Sequence, residues 1–262
     1  MRNNALFLTK SPTGIYFTSL IFPLHKLHGL TDNGPQNSIN TNTRKTAFWL
    51  LTYLLHHPGL LAAYREETAA AFSSGPAAEL VDPFLIQDPA RCPQVNAIWH
   101  ETLRMSGWAA SVRLITEDTI VGGKRMRRGH RVMVPHRLLH FDADVFGASP
   151  GEFRAERWLE HHQGAEGTET DAECGYGSNS LARSPSWRPF GGGKTMCSGR
   201  FLARFSVTTF VATLLRRFDV ELVEGPAIPR ADEGRPVLGT MSIMEGNDFK
   251  VRLTPRIEIA KA

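Results

Sequence analysis

Trp187-Arg188-Pro189-Phe190-Gly191-Gly192-Gly193-Lys194-Thr195-Met196-Cys197-Ser198-Gly199-Arg200 is the stretch on which the reading of the whole chain turns. A cysteine stands at the end of a glycine-rich loop, and an apolar run of helical character over 201–218 begins directly behind it. Three consecutive glycines let a backbone lie flat against something broad, because no Cβ holds it away. The helix start behind Cys197 offers unpaired N–H groups and the positive end of a dipole, which favour a thiolate over a thiol.

Two plainer readings compete. Gly193-Lys194-Thr195 ends like a phosphate-binding P-loop, but that motif needs a glycine five positions before Gly193, where this chain has Arg188. The other is a buried, inert structural cysteine, the ordinary fate of a lone free cysteine. A flat ligand beside a preformed thiolate is instead what haem iron with a cysteine axial ligand requires. Phe190 would shield the sulfur, and Gly199 would let the new helix pass close beneath the ring. The full pattern F-x-x-G-x-x-x-C-x-G, met by Phe190, Gly193, Cys197 and Gly199, is much more specific than the cysteine alone. In it the sequence resembles the cytochrome P450 family of haem-thiolate monooxygenases.

The totals are compatible with one large domain. At 262 residues the chain is long enough for a real core, and its 42% hydrophobic content excludes wholesale disorder. A formal charge of +4 is mild for this length and gives little reason to expect nucleic acid or an anionic membrane as partner. Cys92, Cys174 and Cys197 are odd in number and far apart, which suits reducing surroundings rather than a disulfide framework. Short apolar patches over 5–8 and 15–24 are interrupted or bounded by Lys10, Pro12 and Pro23, so neither spans a bilayer, and no signal-peptide partition is visible. The chain as given reads as soluble.

Taken in order, residues 1–40 are weakly patterned, and the polar run 31–40, with Gly34 and Pro35, reads as loop or frayed helix. From Thr43 the character changes, and Ala47-Phe48-Trp49-Leu50-Leu51-Thr52-Tyr53-Leu54-Leu55 is apolar nearly all round, as in a deeply buried helix. It should stop at His56-His57-Pro58, with a second helix over 60–72. The adjacent histidines point in different directions on a helix, so a solvated helix end is preferred to a metal site. Asn42 and Thr43 admit two readings, a proton-relaying alcohol on a buried helix or a helix N-cap, and the residues alone favour the cap.

A third helix over 93–105 carries a core stripe of Val95, Ile98, Trp99, Thr102 and Leu103. Glu101 and Arg104 lie three apart on the other face, where a solvated pair contributes only about 0.2–0.5 kcal/mol. Strand signals follow at 111–116, and 119–135 reads as a hairpin with turns at Gly122-Gly123 and Arg128-Gly129. Arg113 alternates with Val112 and Leu114, the usual place of a surface strand arginine. Lys124, Arg125, Arg127, Arg128, His130 and Arg131 lack interleaved aromatics, so a solvated hairpin is favoured over a nucleic-acid surface. The polar, glycine-rich run 160–186 reads as an exposed insertion with Cys174 incidental. Strands are expected at 219–223 and 250–253.

The family resemblance assigns roles that the residues alone do not. Asn42-Thr43 looks like the acid–threonine pair over the haem, with Asn replacing the acid as in the branch resembling sterol 7-alpha-hydroxylases and prostacyclin synthases, which Ala47-Phe48-Trp49 also resembles. Thr43 would then orient a proton-delivering water. Arg113 matches an arginine that binds a haem propionate, a role made more important by Thr195, where many members have Arg or His. Phe153-Arg154-Ala155-Glu156-Arg157-Trp158 resembles the family's P-E-R-F element, with Ala155 for Pro and Trp158 for Phe, so Arg157 would join Glu101 and Arg104 in a partly buried triad that locks the haem loop.

The resemblance therefore implies a mainly α protein with a small β region, the C-terminal, haem-binding half of the family fold. It would be a single partial domain over 1–262, with 1–40 a weakly patterned remnant and 41–262 running from the end of the central helix to the C-terminus. Haem b would sit on Cys197, bordered by Phe190, Gly191, Gly193 and Gly199, with Arg113 on a propionate. The implied activity is insertion of one atom of O2 into an apolar, sterol- or lipid-like substrate, with electrons from NADPH through a flavoprotein reductase. Full-length eukaryotic relatives are expected at the endoplasmic reticulum membrane, with no anchor in this chain. Two alternatives follow from Asn42 and from the half length: a haem-thiolate isomerase or dehydratase needing no external O2, or an inactive truncated fragment.

Overall fold

The computed structural model describes residues 10–11, 14–16, 36–75, 78–160, 180–224, 228–234 and 239–256. Four helices build the core: α1 (Gln36–His56), α2 (Pro58–Thr68), α3 (Pro93–Ser106) and, introduced out of turn because it packs on the first three, α8 (Arg200–Arg217). Trp49, Leu50 and Leu54 of α1 meet Ile98 and Trp99 of α3 and Val207, Val211 and Leu215 of α8, all buried. Proline opens both α2 and α3, where its missing N–H costs nothing. Tyr64 of α2 donates its buried hydroxyl to the Thr208 carbonyl of α8 at 2.9 Å, tying the two helices polar group to polar group. The expected helix over 60–72 is shorter: α2 tightens into a 3-10 turn at Ala69–Ala71.

Two expectations are corrected here. α1 begins at Gln36, so Asn42 and Thr43 lie well inside the helix and neither is a cap. Asn and Ser each cost a helix only a few tenths of a kcal/mol, roughly, and a buried C-terminal half overrides them. α3 has no solvated face: Asn96, His100, Glu101 and Arg104 are as buried as Val95 and Ile98.

The β region is small. β1 (Lys10–Ser11), β2 (Gly14–Tyr16), β7 (Phe218–Glu224) and β8 (Lys250–Pro255) form one antiparallel sheet in the order β1-β2-β8-β7, with Ile15 opposite Val251 and Val220 opposite Leu253. The first two strands fall in the weakly patterned region over 1–40, and at two and three residues they are too short to leave an alternating pattern. The expected hairpin over 119–135 divides. β4 (Thr119–Val121) pairs with β5 (Lys124–Met126) around Gly122-Gly123, whereas β6 (Arg131–Pro135) leaves to pair with β3 (Ala110–Leu114). Bonds from Ile115 N–H to the His130 carbonyl and from Gly129 N–H to the Ile115 carbonyl extend that second ladder. The basic cluster, which runs from β5 to the start of β6, is exposed, and Arg125 pairs with Asp118 at 2.8 Å.

Short elements connect β6 to α8: α4 (His136–His140), α5 (Ala143–Phe146), α6 (Arg157–Glu160) and α7 (Ser180–Arg183). Leu181 and Ala182 of α7 are buried, so the end of the run read as an exposed insertion belongs to the core. Cys174 lies outside the described residues. Cys92 is buried, and burial pushes its thiol up to about 11, the inert structural state.

Glu101, Arg104 and Arg157 converge at the junction of α3 with α6, fully buried rather than partly so. Glu101 Oε1 accepts from Arg104 Nη2 at 2.7 Å, from Arg157 Nε at 3.1 Å and from the Arg154 N–H at 2.9 Å. Its Oε2 accepts from Arg104 Nε and from Trp158 Nε1, both at 2.8 Å. One carboxylate thus faces two guanidiniums, and the excess positive charge is met by carbonyls: His140, Pro150 and Glu152 for Arg104, Phe146 and Glu152 for Arg157. Removing the carboxylate strands two buried cations. Glu101→Gln should lower the unfolding free energy by roughly 3–5 kcal/mol in urea titrations. Arg252→Ala, which breaks the exposed Arg252–Glu221 pair at 3.4 Å, should cost less than about 1 kcal/mol.

Candidate functional site: the cysteine loop

The loop between α7 and α8 is anchored at one end and open at the other. Trp187 is buried among His140, Phe146 and Trp158, with ring centroids at 5.0, 6.4 and 4.7 Å. The Arg188 N–H donates to His140 Nε2 at 3.0 Å. The loop then folds on itself: Gly191 N–H reaches the Arg188 carbonyl at 3.3 Å, and Cys197 N–H reaches the Phe190 carbonyl at 3.0 Å. Gly193–Thr195 forms a 3-10 turn. Cys197 is exposed and lies three residues ahead of Arg200, the first residue of α8. Phe190 is half-buried, with its ring packed against the core.

The glycines show what this surface can accept. Gly191 and Gly193 adopt φ of +80° and +64°, a region that disfavours side chains, and a Cβ on either would enter open space. Gly199 has ordinary backbone angles, and a Cβ there would lie 3.8 Å from Cys197 Sγ, a normal contact. Nothing among the described residues demands glycine at 199. A group lying against the loop would supply such a demand.

At the rim, Arg113 of β3 donates from Nη2 to Thr195 Oγ1 at 2.5 Å and from Nη1 to the Val112 carbonyl at 2.9 Å. The structure therefore brings Arg113 to the cysteine loop. Val112, Leu114 and Met133 of the β3–β6 ladder are exposed, as are Phe201 and Leu202 in the first turn of α8. Among the described residues there is no group of three or more His, Cys, Asp and Glu suited to a bare metal ion. An iron that brings four porphyrin nitrogens needs a single protein ligand, and an exposed thiol beside glycines, with a guanidinium at its edge, has the donor chemistry for it. The residues fit haem.

Asn42 and Thr43 occupy the half-buried second turn of α1. Asn42 is engaged with the segment that follows residue 238 rather than free for proton transfer. Its Oδ1 accepts from the Thr240 N–H at 3.2 Å, while Thr46 Oγ1 and Thr240 Oγ1 share a hydrogen bond of 2.9 Å. Trp49 Nε1 donates to the Met241 carbonyl at 2.9 Å. The same segment reaches the end of α3, where Trp108 N–H donates to the Gly239 carbonyl at 2.7 Å and Met241 N–H to the Ser106 carbonyl at 2.9 Å. It straps α1 to the approach of β3.

Sequence reasoning missed His136, His140 and this strap. Both histidines are buried, and their contacts span long sequence separations that no local pattern reports. Burial lowers the basicity of both, to about 3 for His140, where His136, Arg104 and Arg137 add to the effect.

The fit at the strap is tight. Gly239 has φ +147°, and a Cβ there would fall 2.5 Å from Asn42 Nδ2. Gly239→Ala should destabilise by about 1–3 kcal/mol. In a double-mutant cycle with Asn42→Ala the penalty should be non-additive by about 0.5–3 kcal/mol, because the smaller partner removes the clash but not the strain. Additive costs would mean the two residues do not touch.

Comparisons with known proteins give the family. The family model described as Cytochrome P450 matches residues 40–250. "Cytochrome P450 monooxygenase poxD" of Penicillium oxalicum is 32% identical over 70% of this chain and 35% of its own length. "Cytochrome P450 7A1" of Rattus norvegicus is 27% identical over 81% of this chain and 42% of its own. The Homo sapiens "7-alpha-hydroxycholest-4-en-3-one 12-alpha-hydroxylase" is 28% identical over 82% of this chain and 43% of its own. The chain thus spans less than half the length of the relatives it matches. Matched by the family model over most of its residues, with the sterol hydroxylases among its relatives, the chain belongs to the cytochrome P450 family.

Proposed function

We propose that this chain carries the haem-binding half of a cytochrome P450 monooxygenase, with Cys197 as the iron ligand. The observation behind this reading is the exposed Cys197 thiol on a glycine loop, with Arg113 bridged to that loop through Thr195. When bound, haem b would supply the activation of O2 and the insertion of one oxygen atom into a C–H bond. Cys197 would hold the group from one face. Gly191, Gly193 and Gly199 would keep Cβ atoms out of its plane, and Phe190 would limit water at the sulfur. Arg113 would hold a propionate, with the Thr195 hydroxyl orienting the guanidinium. Thr43 would hold a water in place for proton delivery, while Asn42, occupied with Thr240, would fix the turn that carries Thr43.

The proposed substrate is apolar and sterol- or lipid-like, a reading supported by the sterol hydroxylases among the relatives. Electrons would come from NADPH through a flavoprotein reductase. No helix among the described residues is long and apolar enough to cross a membrane. Residence at the endoplasmic reticulum membrane is proposed only for an intact relative.

Haem reconstitution tests the assignment. The reduced, CO-treated protein should give a red-shifted thiolate–carbonyl Soret band, and Cys197→Ser should abolish it while leaving far-UV circular dichroism unchanged. Arg113→Ala should weaken haem binding by no more than about fivefold, as expected for a solvent-exposed ion pair. A soluble wild-type chain with no thiolate band would sink the catalytic reading.

A further inference from the structure

The geometry points to His140 as a positioning residue that sets the entrance of the cysteine loop through its hydrogen bond to Arg188. His140 is 1% exposed, and its Nε2 accepts the Arg188 N–H at 3.0 Å. The amides of Gly191, Met196 and Cys197 bond to carbonyls within the loop, whereas the Arg188 amide is satisfied from outside by a side chain. That amide belongs to the first residue after the buried Trp187, where the backbone leaves the core. His140 is itself fixed on two sides. Its carbonyl accepts from Arg104 Nη1 at 3.0 Å, and its ring lies 5.0 Å from that of Trp187.

Acceptance at Nε2 fixes the tautomer, with the proton on Nδ1. A ring protonated on both nitrogens would turn an N–H toward the Arg188 N–H and lose the bond. Burial, which holds the basicity of His140 low, keeps the acceptor available. One turn earlier on α4, His136 Nε2 shares a 2.8 Å hydrogen bond with Ser111 Oγ of β3, two residues before Arg113. Arg113 in turn reaches Thr195. A five-residue helix thus reaches both arms of the loop, Arg188 directly and Thr195 through β3. A histidine that only filled space would need neither the Arg188 bond nor a fixed tautomer. The consequence for haem rests on Cys197 being the ligand, but the hydrogen bond can be tested without haem.

The experiment measures backbone amide exchange at Arg188 in the haem-free 262-residue chain, for wild type, His140→Phe and His140→Gln. Phe keeps an aromatic ring against Trp187 but cannot accept, so exchange at Arg188 should rise about tenfold, and Cys197 should alkylate faster with iodoacetamide. Gln offers a carbonyl oxygen and should restore much of the protection. In wild type, the ring 15N shifts of His140 should report a protonated Nδ1 and a bare Nε2, which needs no substitution and decides the question if His140→Phe does not fold. Unchanged Arg188 exchange in a folded His140→Phe, Gln as fast as Phe, or an Nε2–H tautomer would overturn the assignment. If these results hold and no thiolate band forms with haem, the hydrogen bond stands and the haem reading falls.

Discussion

The carboxylate of Glu101 is the interaction on which this structure depends. A buried carboxylate is costly to desolvate and holds its place only if its oxygens are fully bonded. Here five donors from α3, α6 and the turn before α6 close on it. Two of the partners are guanidiniums, so neutrality is not reached within the triad. The surplus is spread over backbone carbonyls from residues 140 to 152, which obliges that irregular stretch to run past Arg104 and Arg157 in one conformation. A segment with little regular structure is thereby ordered by charge rather than by a sheet or a long helix.

The same stretch delivers order to the cysteine loop. The His140 carbonyl is used by Arg104 and its ring by Arg188, so one residue joins the charged centre to the loop entrance. Trp158 does the same on the aromatic side: its indole N–H binds Glu101, and its ring meets Trp187 at 4.7 Å. The loop itself has little holding it, since its own hydrogen bonds are few and Cys197 is exposed. Rigidity at the thiol is therefore borrowed from a buried ion cluster, which accounts for a pair of residues without any direct chemistry, Glu101 and Arg104, sitting at the centre of the core.

How much of this was legible follows from the range of each signal. The glycine–cysteine pattern, the buried character of 47–55 and the strands at 219–223 and 250–253 are local, and the structure has elements at all of them. Periodicity also found the apolar stripe of α3. It misjudged the opposite face, because a helix whose polar residues are paired with distant partners has the same sequence pattern as one whose polar residues face water. Only the family resemblance joined Glu101 and Arg104 to Arg157. The start of α1 was placed late because polar residues weaken a helix without ending it. The strap at 239–241 was invisible for a different reason: its bonds to α1 span nearly two hundred residues, and those to the Met241 carbonyl and the Thr240 N–H use backbone groups, which carry no residue-type signature.

The strap also changes how Asn42 should be understood. Read from sequence, it was a substitution at a proton-relay position and weakened the case for O2 chemistry. In the structure its amide oxygen holds the Thr240 N–H, and the space beside it is available only because residue 239 is glycine. A carboxylate could accept the same hydrogen bond, but it would bring a charge to a half-buried place. Asparagine gives the contact without the charge. Its presence is thus explained by how α1 is strapped to the end of α3, and it argues neither for nor against oxygen activation. The proton-handling part of the proposed site then rests on the neighbouring hydroxyl of Thr43, held in register by the anchored turn it shares with Asn42.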